Sequence, residues 1–244
     1  MNTNFRNTPI EKLESATIVS ENKLLRAAFS WMAVAMVLTT LASLLFAFVP
    51  ELTNLLIQQT ETGFKPTIFA YIIMFAPLLF VLAIGFGVNK MSYTTLIAVF
   101  VAYAIINGIS FSFIFFIYNI GSIFKVFLST AGLFAIMAIA GYTTKTDLTK
   151  MGNILIIGLI GIFVASLINM FMHSAKMDYI ISILGVVIFT GLTAWDVQKI
   201  KNLGATADDS ENSKKMGVLG ALTLYMDFIN LFLFLLRLFG GRKD

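Results

Sequence analysis

The chain has 244 residues, of which 58% are hydrophobic and only 12% charged, with 24 phenylalanines. Soluble domains carry roughly 25% charged residues, and none has interior enough for this apolar excess, so the composition excludes a soluble fold and implies an integral membrane protein. The net charge of +4 offers no basic patch for nucleic acid, and the lack of cysteine excludes disulfides and thiolate metal centres.

Residues 1–26 are polar and mixed in charge (Arg6, Glu11, Lys12, Glu14, Glu21, Lys23, Arg26). No short apolar core with a cleavage site precedes the first long apolar run, so the expectation is a cytoplasmic tail followed by a span that serves as its own insertion signal. Apolar runs that approach the ~20 residues a bilayer requires then occur at 28–49, 67–89, 92–118, 122–140, 153–172, 179–200 and 216–239. The third and fourth are parted only by "YNIGS" (118–122), which leaves six spans and one re-entrant run as the alternative to seven. The expected fold is an all-α integral membrane protein, with a transmembrane domain over residues 27–241 behind the tail.

Orientation follows from the basic residues. An internal N-terminus places Arg6, Lys12, Lys23, Arg26, Lys90, Lys145, Lys150, Lys199, Lys201, Lys214 and Lys215 inside, 11 of the 17. The C-terminus is then external. "TETGFKP" (60–66) reads as an external turn and "NLGATADDSENSKKMG" (202–217) as an internal loop, with Gly204 placed to end the sixth helix. No internal repeat suggests an inverted-repeat transporter.

Eleven of the thirteen acidic residues fall in tails or loops. Asp196 and Asp227 do not, and an intramembrane charge is costly enough that such residues face the protein interior. Asp196 lies seven residues before Leu203 and Asp227 eleven after Met216, depths of about 10 and 16 Å at the helical rise. Two antiparallel neighbours would bring them together. Thr193 shares the face of Asp196, and Gly220, Thr223, Asp227 and Asn230 form one stripe of the last span. Tyr103, Asn107 and Ser110 form another on the third span, beside Gly108. These stripes suggest a shared, partly hydrated interior. Ordinary helix packing explains the Asn107/Gly108/Ser110 group equally well, and Asp196 bound to Lys199 or Lys201, with Asp227 bound to Asn230 or Tyr225, would be merely structural. Two carboxylates in contact at low dielectric cannot easily both ionise, so the pair reads as a proton-sensitive hydrogen bond and, when ionised, as candidate oxygen ligands for Ca2+. Lys90 reads as an anchor at the inner interface.

The same residues carry a family resemblance. "TAWDVQKIKNLG" followed by "LYMDFINLFLFLLRLFG" resembles the C-terminal signature of the Bax inhibitor-1 family, supported by "INGISFSFIF" (106–115) and "GYTTKTDLTKMG" (141–152). The likeness covers about residues 25–241. It implies seven helices, six around a central C-terminal seventh, and a pH-sensitive Ca2+ leak channel whose proton sensor matches Asp196 and Asp227. It also implies a basic latch on that pair, at Lys90 by ungapped spacing, where lysine supplies a point charge without the guanidinium fork. No cofactor is implied; Ca2+ is the permeant ion, and protons and the lipid bilayer are the other partners. The Ile/Lys/Asn-rich composition suggests a bacterial cytoplasmic membrane. Some bacterial members resemble regulators that bind a membrane-anchored ATP-dependent protease, so a non-conducting regulator is the alternative function.

Enzyme readings fit less well. Rhomboid-type chemistry needs Gly-x-Ser-Gly and an intramembrane histidine, whereas "GISF" lacks the second glycine and His173 lies at a helix end. "AWD" and "YMD" match presenilin-type aspartyl protease motifs only in part. The last span has no lysine for a retinal Schiff base.

Overall fold

Within lipid, a lone segment can satisfy all its backbone polar groups only as a helix, and each apolar run accordingly becomes one. The computed structural model describes residues 9–60 and 63–243. Helix α1 (Pro9–Phe48) is followed by short α2 (Pro50–Leu56) and an antiparallel hairpin of β1 (Ile57–Thr60) and β2 (Gly63–Pro66), in which Gln58 pairs with Lys65. Then come α3 (Ile68–Gly87), a single 3-10 turn over Val88–Lys90, α4 (Tyr93–Phe111), the one-turn α5 (Ile114–Ile117), α6 (Ile120–Thr143), α7 (Thr149–Met172), α8 (Ala175–Gly204) and α9 (Glu211–Phe239). Seven of these helices are long and apolar enough to cross a membrane, the span within α1 being Lys23–Phe48.

Several helix ends differ from the sequence expectation by a few residues, and the first helix by more. The polar segment before residue 26 is helical from Pro9 onward and continues α1. Proline suits a first helical turn, and neither glycine nor a second proline interrupts the chain between Pro9 and Phe48; residues 1–8 lie outside the described residues. The third run does extend as expected, its span being Tyr93–Ile117, but a break at Ser112 and Phe113 parts α4 from the one-turn α5 within it. Helix α9 begins five residues earlier than Met216, because the Ser210 hydroxyl accepts the Ser213 backbone N–H and caps the helix there. Of the external turn expected at 60–66, Thr60 ends β1 and Gly63–Pro66 form β2; residues 61 and 62 lie outside the described residues.

Helix α9 is central. In its most apolar 18-residue stretch 67% of residues are buried, against 6% for α7. It packs on α8, α1, α6 and α4. The surrounding six are uneven: α3 packs chiefly on α4, and α7 on α8, as an outer layer. Exposed Ile157, Phe171, Phe75 and Phe86 give these two helices their lipid faces. Close crossings rest on small residues, as membrane helices require. A Cβ on Gly141 of α6 would stand 2.1 Å from the Ala194 carbonyl of α8, and one on Gly108 of α4 would stand 2.4 Å from the Thr39 carbonyl of α1. Glycine is what brings these backbones into contact.

The bundle has two ends. At one, Lys23 meets Asp209 and Glu211 accepts the Tyr93 backbone N–H at 2.9 Å. This end carries most of the lysines and is the inner one by the positive-inside rule. At the other, the Asn119 N–H donates to the Gly241 carbonyl at 2.9 Å, the Gly241 N–H to Ser122 Oγ at 2.7 Å, and Arg237 pairs with Asp178 at 3.2 Å. The residues after α9, Gly240–Lys243, thereby lie across the start of α6.

Candidate functional site

The structure brings Asp196 of α8 and Asp227 of α9 together in the core, 5% and 4% exposed, with their side chains within hydrogen-bonding reach of each other. Long α8 and α9 run antiparallel from one short loop, and the small residues Gly217 and Gly220 let α9 settle against α1 and Ile200. An ionised carboxylate only accepts hydrogen bonds, so this contact requires a proton on one partner. Among the described residues no amide, hydroxyl or cationic donor reaches the buried Oδ2 atom of Asp227, which leaves Asp196 as the side chain in contact with that carboxyl.

The merely structural pairings are not made. Lys199 acts on Asp196 electrostatically but forms no ion pair with it; its Nζ lies 5.0 Å above the Trp195 ring. Lys201 donates to the Tyr142 carbonyl at 3.1 Å and stacks on that ring. Asn230 Nδ2 donates to the Met226 carbonyl at 2.8 Å, and the Tyr225 hydroxyl bonds Thr39 Oγ1 at 2.7 Å. Each side chain that could have neutralised the pair is engaged elsewhere.

The remaining candidates occupy separate places in the bundle. Buried Thr193 and half-buried Thr223 donate back to the Phe189 and Leu219 carbonyls of their own helices. Buried Asn107 donates to the Tyr103 carbonyl at 3.0 Å, and Ser110 is half-buried one turn on, beside the tight Gly108 crossing. Lys90 is exposed at the inner end of α3, and none of the three ion pairs among the described residues includes it. His173 is exposed at the outer end of α7 with φ 51°, a left-handed helix terminus.

Two groups escaped the sequence reading. Gln198, buried two residues beyond Asp196, donates to the Thr146 carbonyl at 2.9 Å and accepts the Leu148 N–H at 2.8 Å, clamping the α6–α7 loop to α8. Thr39 of α1 donates to the Ala104 carbonyl at 2.9 Å while accepting from Tyr225, so one hydroxyl ties α1, α4 and α9. Gln198 stands between Asp196 and Lys199 and Thr39 beside Thr40, so neither carries a sequence signal of its own.

Above the inner end of α9, Ser213 Oγ donates to Asp208 at 2.6 Å and the Ser210 N–H at 3.1 Å. These donors hold the Asp208 carboxyl down at about 2, and the contact with Lys23 lowers that of Asp209. Among the described residues no group of three or more acidic, histidine or cysteine side chains could hold a metal. The aspartate pair alone supplies fewer oxygens than the about six to eight that Ca2+ takes.

The family described as inhibitor of apoptosis-promoting Bax1 matches residues 21–244. A protein of Borreliella burgdorferi is 44% identical over 232 residues, covering 95% of this chain and 97% of its own. A Rickettsia prowazekii protein is 37% identical over 243 residues, 96% and 100% of the two chains. The inner membrane protein YbhL of Escherichia coli is 40% identical over 217 residues, 88% and 90% of the two. With seven membrane-spanning helices and a match over nearly its whole length, the chain belongs to the Bax inhibitor-1 family of multi-pass cell-membrane proteins.

Proposed function

We propose that the protein is a passive, pH-gated Ca2+ leak in which Asp196 and Asp227 form the gate. The observation that carries this reading is the buried carboxyl contact, outside every ion pair among the described residues, between the central helix and its most extensive neighbour. Such a contact depends on its proton, and gain or loss of that proton changes how α8 holds α9. The charged side chain that acts on the pair from the packed helices is Lys199 on α8. Lys90, free of ion pairs in this conformation, is the latch available to the pair in another. Ca2+ is cargo here: the carboxylates meet it in transit and water completes its coordination.

Asn substitution keeps the shape and hydrogen bonding of a carboxyl while removing titration. Every unit by which opening changes the pair's proton affinity alters the closed–open ratio about tenfold. Ca2+ entry into proteoliposomes between pH 5 and 8 should therefore vary with pH in the wild type and lose that variation in Asp196→Asn and Asp227→Asn. Variants that keep the wild-type profile would remove the pair from the gate. A wild type that admits no Ca2+ would replace the channel by a regulator that binds a membrane protease.

A further inference from the structure

In the outer half of the bundle, α1 and α6 part over α9 and leave a crevice of about 350 Å³. Phe228, Ile229 and Phe232 of α9 form its floor. Leu44 of α1 and Phe124 of α6 line it and are also exposed, 39% and 61%, on the surface that meets lipid. The crevice is thus a fold of the lipid-facing surface that reaches the central helix.

Its chemistry is apolar in spite of three hydroxyl residues on one wall. Thr39 donates to the Ala104 carbonyl, Thr40 to the Met36 carbonyl at 2.8 Å, and Ser43 to the Thr40 carbonyl at 2.9 Å. No donor is left aimed into the space, and cavities without polar partners hold no water. An empty apolar crevice of this size forfeits dispersion contacts along all its walls. Its volume falls within the range of about 300–1,000 Å³ typical of small-molecule sites. The medium at its mouth is hydrocarbon. We infer that the crevice binds an acyl chain of an outer-leaflet phospholipid, whose tail packs against the phenylalanines of α9. This assignment is independent of whether the protein conducts ions.

Carbene labelling tests it directly, using the full chain reconstituted in phosphatidylglycerol–phosphatidylethanolamine vesicles that contain a phospholipid with a diazirine in its acyl chain. Expected are adducts on Phe228–Phe232, a segment with buried Phe228, Ile229 and Phe232 that bilayer lipid cannot otherwise touch, together with adducts on lipid-facing Ile157 of α7. Thr40→Trp, at an exposed position on the crevice wall, should reduce labelling of the α9 segment to background and leave Ile157 unchanged. Excess unlabelled phospholipid should compete. Adducts confined to lipid-facing residues in the wild type would overturn the proposal without recourse to a variant. So would labelling of the α9 segment by a water-soluble diazirine, which would make the crevice a hydrated vestibule. Competition by free fatty acid but not by phospholipid would also overturn it.

Discussion

Asp227 holds its carboxyl buried in the centre of the bundle with Asp196 as its side-chain partner; a buried hydrogen-bonding group deprived of its partner costs about 1–3 kcal/mol. A structural residue would be relieved by almost any apolar replacement, whereas a gate needs the group it has. Asp208 supplies the control for pH sensing. Its carboxyl is held down at about 2 by Ser210 and Ser213. Being depressed in the folded state, it stabilises the α8–α9 loop fully above the ordinary carboxylate range and loses that contribution only as pH falls toward about 2. It stays ionised throughout pH 5–8. Asp208→Asn should therefore leave the pH dependence of Ca2+ entry unchanged over that range, and a changed profile would move sensing from the core to the loop. The aspartates were legible in the sequence because a carboxylate in an apolar run has few inexpensive explanations. Gln198 and Thr39 were not, because their partners, Thr146 and Leu148 in one case and Ala104 and Tyr225 in the other, lie 50 or more residues away.

At the scale of elements, the helices cross where glycine lets backbone meet backbone. The α6–α8 crossing is the most demanding, since a methyl group on Gly141 would stand 2.1 Å from a carbonyl oxygen that has nowhere to go. Gly141→Ala should destabilise the bundle by about 1–3 kcal/mol, as overpacking does. Gly132, on the same helix, has nothing within 4 Å of a built Cβ. Gly132→Ala should be neutral or stabilising by up to about 1 kcal/mol, from helix propensity alone. Thermal unfolding of the purified variants in one detergent separates the two; equal midpoints would mean that α6 and α8 do not cross this closely. The polar stripe with Asn107, Gly108 and Ser110 belongs here as well. Gly108 serves the α1–α4 crossing and Asn107 bonds its own helix, the contacts that helix packing asks of such residues.

For the whole molecule, the loops sort into two ends that agree with the lysine distribution, and the absence of cysteine makes the arrangement easy to test. Asn212, exposed in the first turn of α9, and His173, exposed at the end of α7, lie at opposite ends. In intact cells a membrane-impermeant maleimide should label His173→Cys and spare Asn212→Cys until the membrane is opened. The reverse pattern would invert the protein and place the Asp208 loop outside.

By itself the sequence determined the membrane class, the seven spans, their alternation and the two acidic positions, because each depends on local chemistry: run length against bilayer thickness, charge against side, a carboxylate against hydrocarbon. The C-terminal motifs supplied the family. The tertiary structure alone decided that α9 is enclosed chiefly by α8, α1, α6 and α4 while α3 and α7 stand outside. It also decided that the lysines near Asp196 turn away to Trp195 and Tyr142, and that a crevice lined mostly by apolar side chains opens between α1 and α6. Hydropathy is uniform around helices such as these, so their faces carry little periodic signal. Which face is buried depends on how small residues and aromatic rings from distant segments fit together, and that fit exists only once the helices have packed.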